Sequence, residues 1–473
     1  MNFSRTGLRL HFVGIGGIGM SGIAEVLFHR GYAVSGSDLR ESDTTEKLAH
    51  LGIKISIGHE AQNVHGCGVV IISSAVSNEN PEVIEARRLR IPVIPRAEML
   101  GELMRGKTGI SIAGSHGKTS TTSMLATVLS TANYDPTIVI GGKVDALGGN
   151  AKSGEGEFVV AEADESDGSF LHLPAVYGIV TNIDNDHLDF YESPAAIDRA
   201  FIDFVGKMPF YGLSLVCAED SGVRRCLTHF FKPVKTYGFD PEFDYSASEI
   251  IDLPLGTRFA AFARKRTDEG LQTIRLGELE LRVPGRHNVL NALATLGIAL
   301  EIGVPFEKIK NGLLDYHGVK RRFEICWKSE KEKIVVVDDY GHHPTEILAT
   351  LKAARTFWDG RIITVFQPHR YTRTRDSREG FLSAFMDADV VYVTDVYAAG
   401  ETPIPGVDAE SLVHEIMKTQ RPNQEVVYAG SLESAMEKVR KDTRTGDLIL
   451  TMGAGSITRM AQDLRKFLSE KYA

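Results

Sequence analysis

Two glycine-rich turns constrain this chain more than any other feature. "GIGGIG" at 14–19 and "AGSHGKTST" at 113–121 each follow a short apolar run and each lead into a helix-length segment. A strand that ends in glycines and feeds a helix is the building unit of a parallel α/β sheet. Two such units far apart in the sequence predict two separate sheets. With 473 residues in the chain, and domains that typically hold about 100–200 residues, there is room for a third.

The pattern along the chain supports three domains. "LRLHFVG", "YAVSGSD", "VVIISSAV" and "IPVIPR" are strands interleaved with helical stretches such as "MSGIAEVLFHRG". A second series opens at "TGISIAG", runs through "EFVVAEADES" and "YGIVTNID", and closes on the helix "NVLNALATLGIALEIG". Within it, residues 243–285 alternate in polarity between turn residues and predict an antiparallel flap. After "YHGVKRRFE" the pattern resets, and "KIVVVDDYG", "RIITVFQPH", "ADVVYVTDVY" and "GDLILTMGAG" predict a third α/β sheet. The expected boundaries are 1–107, 108–321 and 322–473. Ligands of open α/β sheets sit beyond the carboxyl ends of strands, so the informative residues are those that follow each apolar run.

Composition narrows the partners. The net charge is -9 and the basic residues are dispersed, which argues against nucleic acid. Cys67, Cys217, Cys226 and Cys326 are scattered without a CxxC pair, so they read as reduced thiols of a cytoplasmic protein. The N-terminal apolar run is broken by His11 and by glycines, too short for a signal or a spanning segment, and no membrane insertion is expected.

Gly14, Gly16 and Gly19 satisfy G-x-G-x-x-G between strand and helix, and Asp38 ends the next strand. Missing side chains let a diphosphate reach the backbone, and the helix N-terminus favours its charge. The motif alone does not separate NAD from another diphosphate nucleotide. The second turn is more discriminating. Lys118 and Thr119 supply the G-K-[ST] ending of a phosphate loop, although Ile112 replaces the first glycine of the full pattern and the loop is the shorter stretch from Gly114.

Acidic residues follow the next strands. Glu162, Asp164, Glu165 and Asp167 end one run and offer hard oxygen ligands for magnesium, though such clusters are also common as solvated turns. His187, with Asp184, Asp186 and Asp189 around it, follows another, and a lone histidine is more often structural than a ligand. In the third domain His369, Arg370, Arg373 and Arg375 form a cationic group suited to carboxylate or phosphate, with Asp376 and Glu379 as competing ion-pair partners. His342 and His343 precede a helix, where capping and ligand contact are both open.

A phosphate loop with acidic residues points to ATP turnover, and a separate glycine site points to a second phosphorylated ligand. Carboxylate activation joins them: ATP phosphorylates a carboxylate and an amine displaces the phosphate. A NAD-dependent oxidoreductase would leave "GSHGKTST" without a role, and a non-catalytic nucleotide-responsive scaffold is a third possibility.

Over nearly its whole length the chain resembles the Mur ligase family, through "HFVGIGGIGMSGIAEVL", "GSHGKTST", "EADESDGSFLHL", "TNIDNDHLDFY", "GRHNVLNALA", "GVKRRFE", "DDYGHHPTE" and "FQPHRYTRTRD" in that order. The resemblance implies a Rossmann-like domain for the UDP-sugar, a central P-loop ATPase-like domain and a Rossmann-like C-terminal domain. It implies an amide ligase of peptidoglycan precursor synthesis that uses ATP and Mg2+, or Mn2+, to join L-alanine to UDP-N-acetylmuramate, as a monomer or weak homodimer. A recycling ligase that attaches a preformed peptide to the same sugar nucleotide is the nearest rival.

Site residues follow from the resemblance alone. Gly14, Gly16, Gly17, Gly19, Asp38, Ser73 and Ser74 would hold the UDP-sugar. Gly114, Ser115, His116, Gly117, Lys118, Thr119 and Ser120 would hold ATP phosphates, with Asn288, Asn291, Arg322 and Asp339 as further ATP contacts. Thr119, Glu162 and His187 would bind the metal, and Tyr340, His343, His369, Arg370 and Arg373 would meet the muramoyl carboxylate and the amino acid. Lys118, Glu162, His187, His343 and Arg370 would carry the chemistry. The chain departs from several sister ligases in having Phe201 where they place a carbamylated lysine, which the alanine-adding branch also lacks.

Overall fold

The computed structural model describes residues 7–144, 149–268 and 270–472, without the side chains of 143, 144, 188 and 189, so the Asp189 carboxylate lies outside the described residues. The chain divides into two compact units, one holding residues 1–248, 260–279 and 290–316, the other 249–259, 280–289 and 317–473. No helix among the described residues is long and apolar enough to cross a membrane.

The first unit opens with Arg9–Val13 (β1), Ala33–Asp38 (β2), Lys54–Ile57 (β3), Val69–Ile72 (β4) and Val93–Pro95 (β5). They form one parallel sheet in the order β3-β2-β1-β4-β5. The sequence reading had four of these strands and missed β3, the four-residue "KISI". Because β1 lies between β2 and β4, the winding direction reverses there, and a crevice opens at the carboxyl ends of β1 and β4.

The second sheet runs Thr108–Ala113 (β6), Thr137–Val144 (β7), Gly149–Lys152 (β8), Phe158–Glu162 (β9), Tyr177–Val180 (β10), Leu213–Cys217 (β11), Val234–Gly238 (β12), Tyr245–Leu253 (β13), Gly256–Thr267 (β14) and Gly270–Leu281 (β15). Its order is β15-β14-β13-β12-β11-β10-β6-β9-β7-β8. The expected flap is thus part of this sheet, joined to it where β13 pairs in parallel with β12. The first two sheets share one apolar core, in which Phe12, Met99, Phe170, Phe201 and Phe204 are all buried. Phe201 packs edge-on against Phe170 at 5.4 Å between centroids, so this position is a core contact.

In the second unit the strands are Glu324–Ser329 (β16), Ile334–Asp339 (β17), Arg361–Phe366 (β18), Val390–Thr394 (β19), Glu425–Gly430 (β20) and Asp447–Met452 (β21). The order is β16-β17-β21-β18-β19-β20, with β16 antiparallel and the rest parallel. The two edge strands, β16 and β20, were not read from the sequence. Apolar clusters lie on both faces of this sheet, which explains why its central strands read as unbroken apolar runs.

Candidate functional site

The first glycine turn is fastened to the neighbouring strand. Gly14 N and Ile15 N both donate to Ser37 O, at 2.8 and 3.0 Å. Gly16 N donates to Asp38 Oδ2 at 2.9 Å, and a Cβ on Gly16 would sit 2.8 Å from that oxygen. The glycine is therefore required for Asp38 to approach the turn. Helix Ile18–His29 starts at Gly17 with no acidic residue in its first turn, so Asp38, on Gly16 N, is the carboxylate beside its positive end. Beside it lies a cavity of about 680 Å³ lined by Gly14, Gly16, Gly17, Asp38, Ser73 and residues absent from the sequence reading, His59 and Asn80 among them. Ser74 and Gly19 do not line it; Gly19 instead faces Arg96.

The second turn is held from β10. Gly114 has φ +139°, and a Cβ there would lie 1.9 Å from Thr181 Oγ1. His116 N donates to Asn182 Oδ1 at 2.8 Å, while Thr181 Oγ1 and Asn182 Nδ2 donate to His116 O at 2.6 and 2.9 Å. Asp184 N donates to Ser115 Oγ at 2.9 Å, and the His116 ring meets Asp184 Oδ2 at 3.0 Å. Gly117, at φ +80°, caps helix Lys118–Thr131, whose first turn carries no acid. Asn291 accepts from Thr121 Oγ1 at 3.1 Å and crowds Gly117, so it stands on the floor of this loop. Ser120 is buried in the same first turn.

Parallel pairing of β6 with β9, with Ile112 opposite Glu162, carries the acidic strand end up beside the loop. Lys118 Nζ lies 2.8 Å from Oε1 and from Oε2 of Glu165 and donates to the carbonyls of Gly114 and Ser115. Burial favours the neutral amine, but Glu165, Asp164 and Glu162 together outweigh it and hold Lys118 as an ammonium above its ordinary pKa. Burial pushes Glu165 up to about 7 against the pull of Lys118. Thr119 Oγ1 donates to Glu162 Oε1 at 3.0 Å, and Gly141 N donates to Glu162 Oε2 at 2.7 Å. His187, at φ +57°, places Nε2 3.8 Å from Glu165 Oε1 and 3.6 Å from Asp186 Oδ2. Two hard oxygens adjoining a phosphate loop, with an imidazole near the same acidic strand end, fit a divalent cation.

The remaining sequence-derived residues belong to the second unit. Asn288 Nδ2 donates to Pro284 O at 2.7 Å. Asp339 ends β17 and accepts from Phe323 N and Gly341 N, each at 2.8 Å. Burial lifts it to about 6 in spite of Arg322 and those two amides. Arg322 meets Glu346 at 3.3 Å, and its guanidinium lies over the Tyr340 ring at 5.1 Å. His343 occupies the N-cap of helix Pro344–Phe357, and Glu346 accepts from the backbone N–H of His342 and of His343 at 3.0 and 3.3 Å.

After β18, His369 stacks on Tyr397 with centroids 5.6 Å apart. Arg373 approaches His369 Nδ1 at 3.3 Å. Burial first, then Arg373 and Arg370, push the His369 imidazole down to about 4, so it is neutral near pH 7. Arg370 has φ +67° and ψ 141°, a region that non-glycine residues rarely occupy, and it lies 4.0 Å from Glu401. Glu401 and Tyr397 were not selected from the sequence; only their place just beyond an apolar run could have flagged them. Arg375 pairs with Asp376, the competing contact foreseen for it.

Three family models match the chain in succession. Residues 9–108 match the model "Mur ligase family, catalytic domain", 112–299 the "Mur ligase middle domain" and 321–455 "Mur ligase, glutamate ligase domain". The chain is 51% identical over 462 residues to UDP-N-acetylmuramate--L-alanine ligase of Geotalea daltonii, covering 98% of each. It is 52% identical over 463 residues to the protein of that name from Trichlorobacter lovleyi, covering 97% of this chain and 99% of that one. The crystal structure of UDP-N-acetylmuramate-alanine ligase from Thermotoga maritima aligns with a TM-score of 0.81 at 30% identity, covering 98% of this chain and 100% of that one.

Proposed function

The chain belongs to the Mur ligase family, and from that premise we propose that it is the ATP-dependent ligase joining L-alanine to the muramoyl carboxylate of UDP-N-acetylmuramate in peptidoglycan precursor synthesis. It works in the cytoplasm, with domains at 1–107, 108–321 and 322–473. The observation that carries the reading is the cluster around the second turn. A loop lysine paired with Glu165 and a loop threonine bonded to Glu162 stand at one strand end. Full-length relatives of that name at about 50% identity support it.

Each cradle then takes one phosphorylated substrate. Gly14, Gly16, Gly17, Asp38 and Ser73 hold the sugar nucleotide, with Gly19 and Ser74 flanking its cavity, and the acid-free first turn of the helix favours its diphosphate. Gly114 to Ser120 hold the ATP phosphates, with Asn288, Asn291, Arg322 and Asp339 as further contacts. Thr119, Glu162 and His187 would hold Mg2+, or Mn2+ in its place, which would supply charge neutralisation to the phosphoryl group.

Lys118 exchanges Glu165 for the β and γ phosphates, and its fixed ammonium offsets charge on the transferring group. The muramoyl carboxylate oxygen attacks the γ phosphorus, giving an acyl phosphate and ADP. The amine of alanine adds to the acyl carbon, orthophosphate leaves, and the amine proton passes to solvent or a neighbouring base. Tyr340, His343, His369, Arg370 and Arg373 orient the two carboxylates, and neutral His369 adds no positive charge beside the incoming amine.

The test is orthophosphate release with ATP, Mg2+, UDP-N-acetylmuramate and a panel of acceptors. Release with free L-alanine is expected, with oxygen-18 from the muramoyl carboxylate appearing in the phosphate. Release only with a preformed tripeptide assigns a recycling ligase instead. No release with any acceptor, together with NADH binding at the first turn, overturns the reading.

A further inference from the structure

Arg96 starts helix Arg96–Met104 and joins the two cradles within the first unit. Its guanidinium lies across the first turn of helix Ile18–His29: a Cβ on Gly19 would meet Nη1 at 2.7 Å, Cδ at 3.1 Å and Cζ at 3.2 Å. Its other end lies 3.3 Å from Asp164 Oδ2, and the arginine side chain is only 21% exposed. Asp164 stands between Glu162, which takes Thr119, and Glu165, which takes Lys118. The aspartate is itself fixed, since Oδ1 accepts from Ser166 N at 3.1 Å and its carbonyl accepts from Phe170 N.

This arrangement gives the third glycine of "GIGGIG" a reason that the diphosphate alone does not. Gly19 does not line the cavity beside the turn, yet it has no room for a side chain because Arg96 crosses it. One rigid planar cation therefore fills the space a side chain at Gly19 would need and lies 3.3 Å from a carboxylate of the second cradle. A shift of either partner changes the geometry available to the other.

Resting on the reading of the two cradles as sugar-nucleotide and ATP sites, we propose that Arg96 is a positioning residue that couples them, holding the strand end 162–165 in register with the turn at 14–19, so that each nucleotide tightens the other. Calorimetry on the full chain tests this, titrating the Mg2+ complex of a β,γ-imido ATP analogue with and without UDP-N-acetylmuramate. In the wild type each ligand is expected to tighten the other about tenfold. Arg96→Gln reduces that factor to below about twofold, with each ligand alone bound within about threefold of wild type; Arg96→Lys recovers part of the coupling because the charge stays near Asp164.

Gly19→Ala puts a methyl where the guanidinium lies and loses the coupling by the same route, so the double variant loses no more than either single one. Unchanged coupling in Arg96→Gln, or no coupling in the wild type although both ligands bind, overturns the inference and leaves the ligase reading intact. If the wild type binds neither nucleotide, the functional reading fails first and takes the inference with it. A melting temperature within a few degrees of wild type marks Arg96→Gln as folded; should it unfold, the Lys variant decides by the same two readouts.

Discussion

Lys118 Nζ lies 2.8 Å from both oxygens of Glu165, a carboxylate that is itself buried. The lysine of the phosphate loop is thus compensated by a protein carboxylate, with loop carbonyls as its other partners. Buried charge in this position is tolerable only while paired, and arriving phosphates offer the ammonium an equivalent partner.

Lys118→Ala is expected to lower kcat by about 10²–10³-fold, since removal of one preorganised donor from a charged transition state costs about that much. Affinity for UDP-N-acetylmuramate should stay within about threefold, because the lysine lies in the second cradle and the sugar nucleotide in the first. Steady-state kinetics and calorimetry check the two halves. An equal loss of sugar-nucleotide binding would contradict the assignment of the two turns to different ligands.

Glu162→Gln removes one negative charge from the oxygen pair it forms with Thr119. The Mg2+ concentration for half-maximal activity should rise at least about tenfold. The melting temperature without metal should change little, because the amide oxygen can still accept from Gly141 N while its NH2 donates to the Thr119 hydroxyl, which can turn to accept. A metal requirement unaltered by the substitution would remove Glu162 from the metal site.

Gly114→Ala forces a Cβ to within 1.9 Å of Thr181 Oγ1 at a φ of +139°. Clash and backbone strain together predict a loss of about 2 kcal/mol or more in unfolding free energy. Adding Thr181→Ala should restore only part of it, since the strain and the 3.1 Å approach to Asn182 N remain. Denaturant unfolding of the single and double variants measures the difference, and full rescue would assign the whole effect to the clash.

His369 should stay neutral until about pH 4, against an ordinary histidine near 6.5. Between those values the unfolded chain binds a proton that the folded one refuses. Its contribution to stability is therefore complete above about pH 6.5 and is lost as pH falls through about 4. NMR titration of the imidazole, assigned by its absence in His369→Gln, gives the folded value directly. Arg373→Gln should move it upward but short of 6.5, because burial, the larger cause, remains. A midpoint near 6.5 in the wild type would refute the packing of His369 beneath Tyr397.

The three α/β sheets, their order, and the two glycine turns at their switch points were legible in the sequence, because a strand, a tight turn and a helix are encoded by residues adjacent in the chain. Strands β3, β7, β8, β11, β12, β16 and β20 were not: β3, β8, β16 and β20 lie at sheet edges, β7 lies next to one, and β11 and β12 are interior five-residue strands whose place is decided by the neighbours they pair with. In the same way, four acids in "AEADESDGSF" offered themselves equally as ligands or partners. Only the register of β6 against β9 gave Lys118 to Glu165 and Thr119 to Glu162. Gly19 could be recognised as a motif residue, but the arginine that occupies its space comes from a helix 77 residues further on. Local pattern specifies which elements form; which side chains meet depends on how a parallel sheet brings strand ends together, and that is settled by packing over distances along the chain that no local pattern spans.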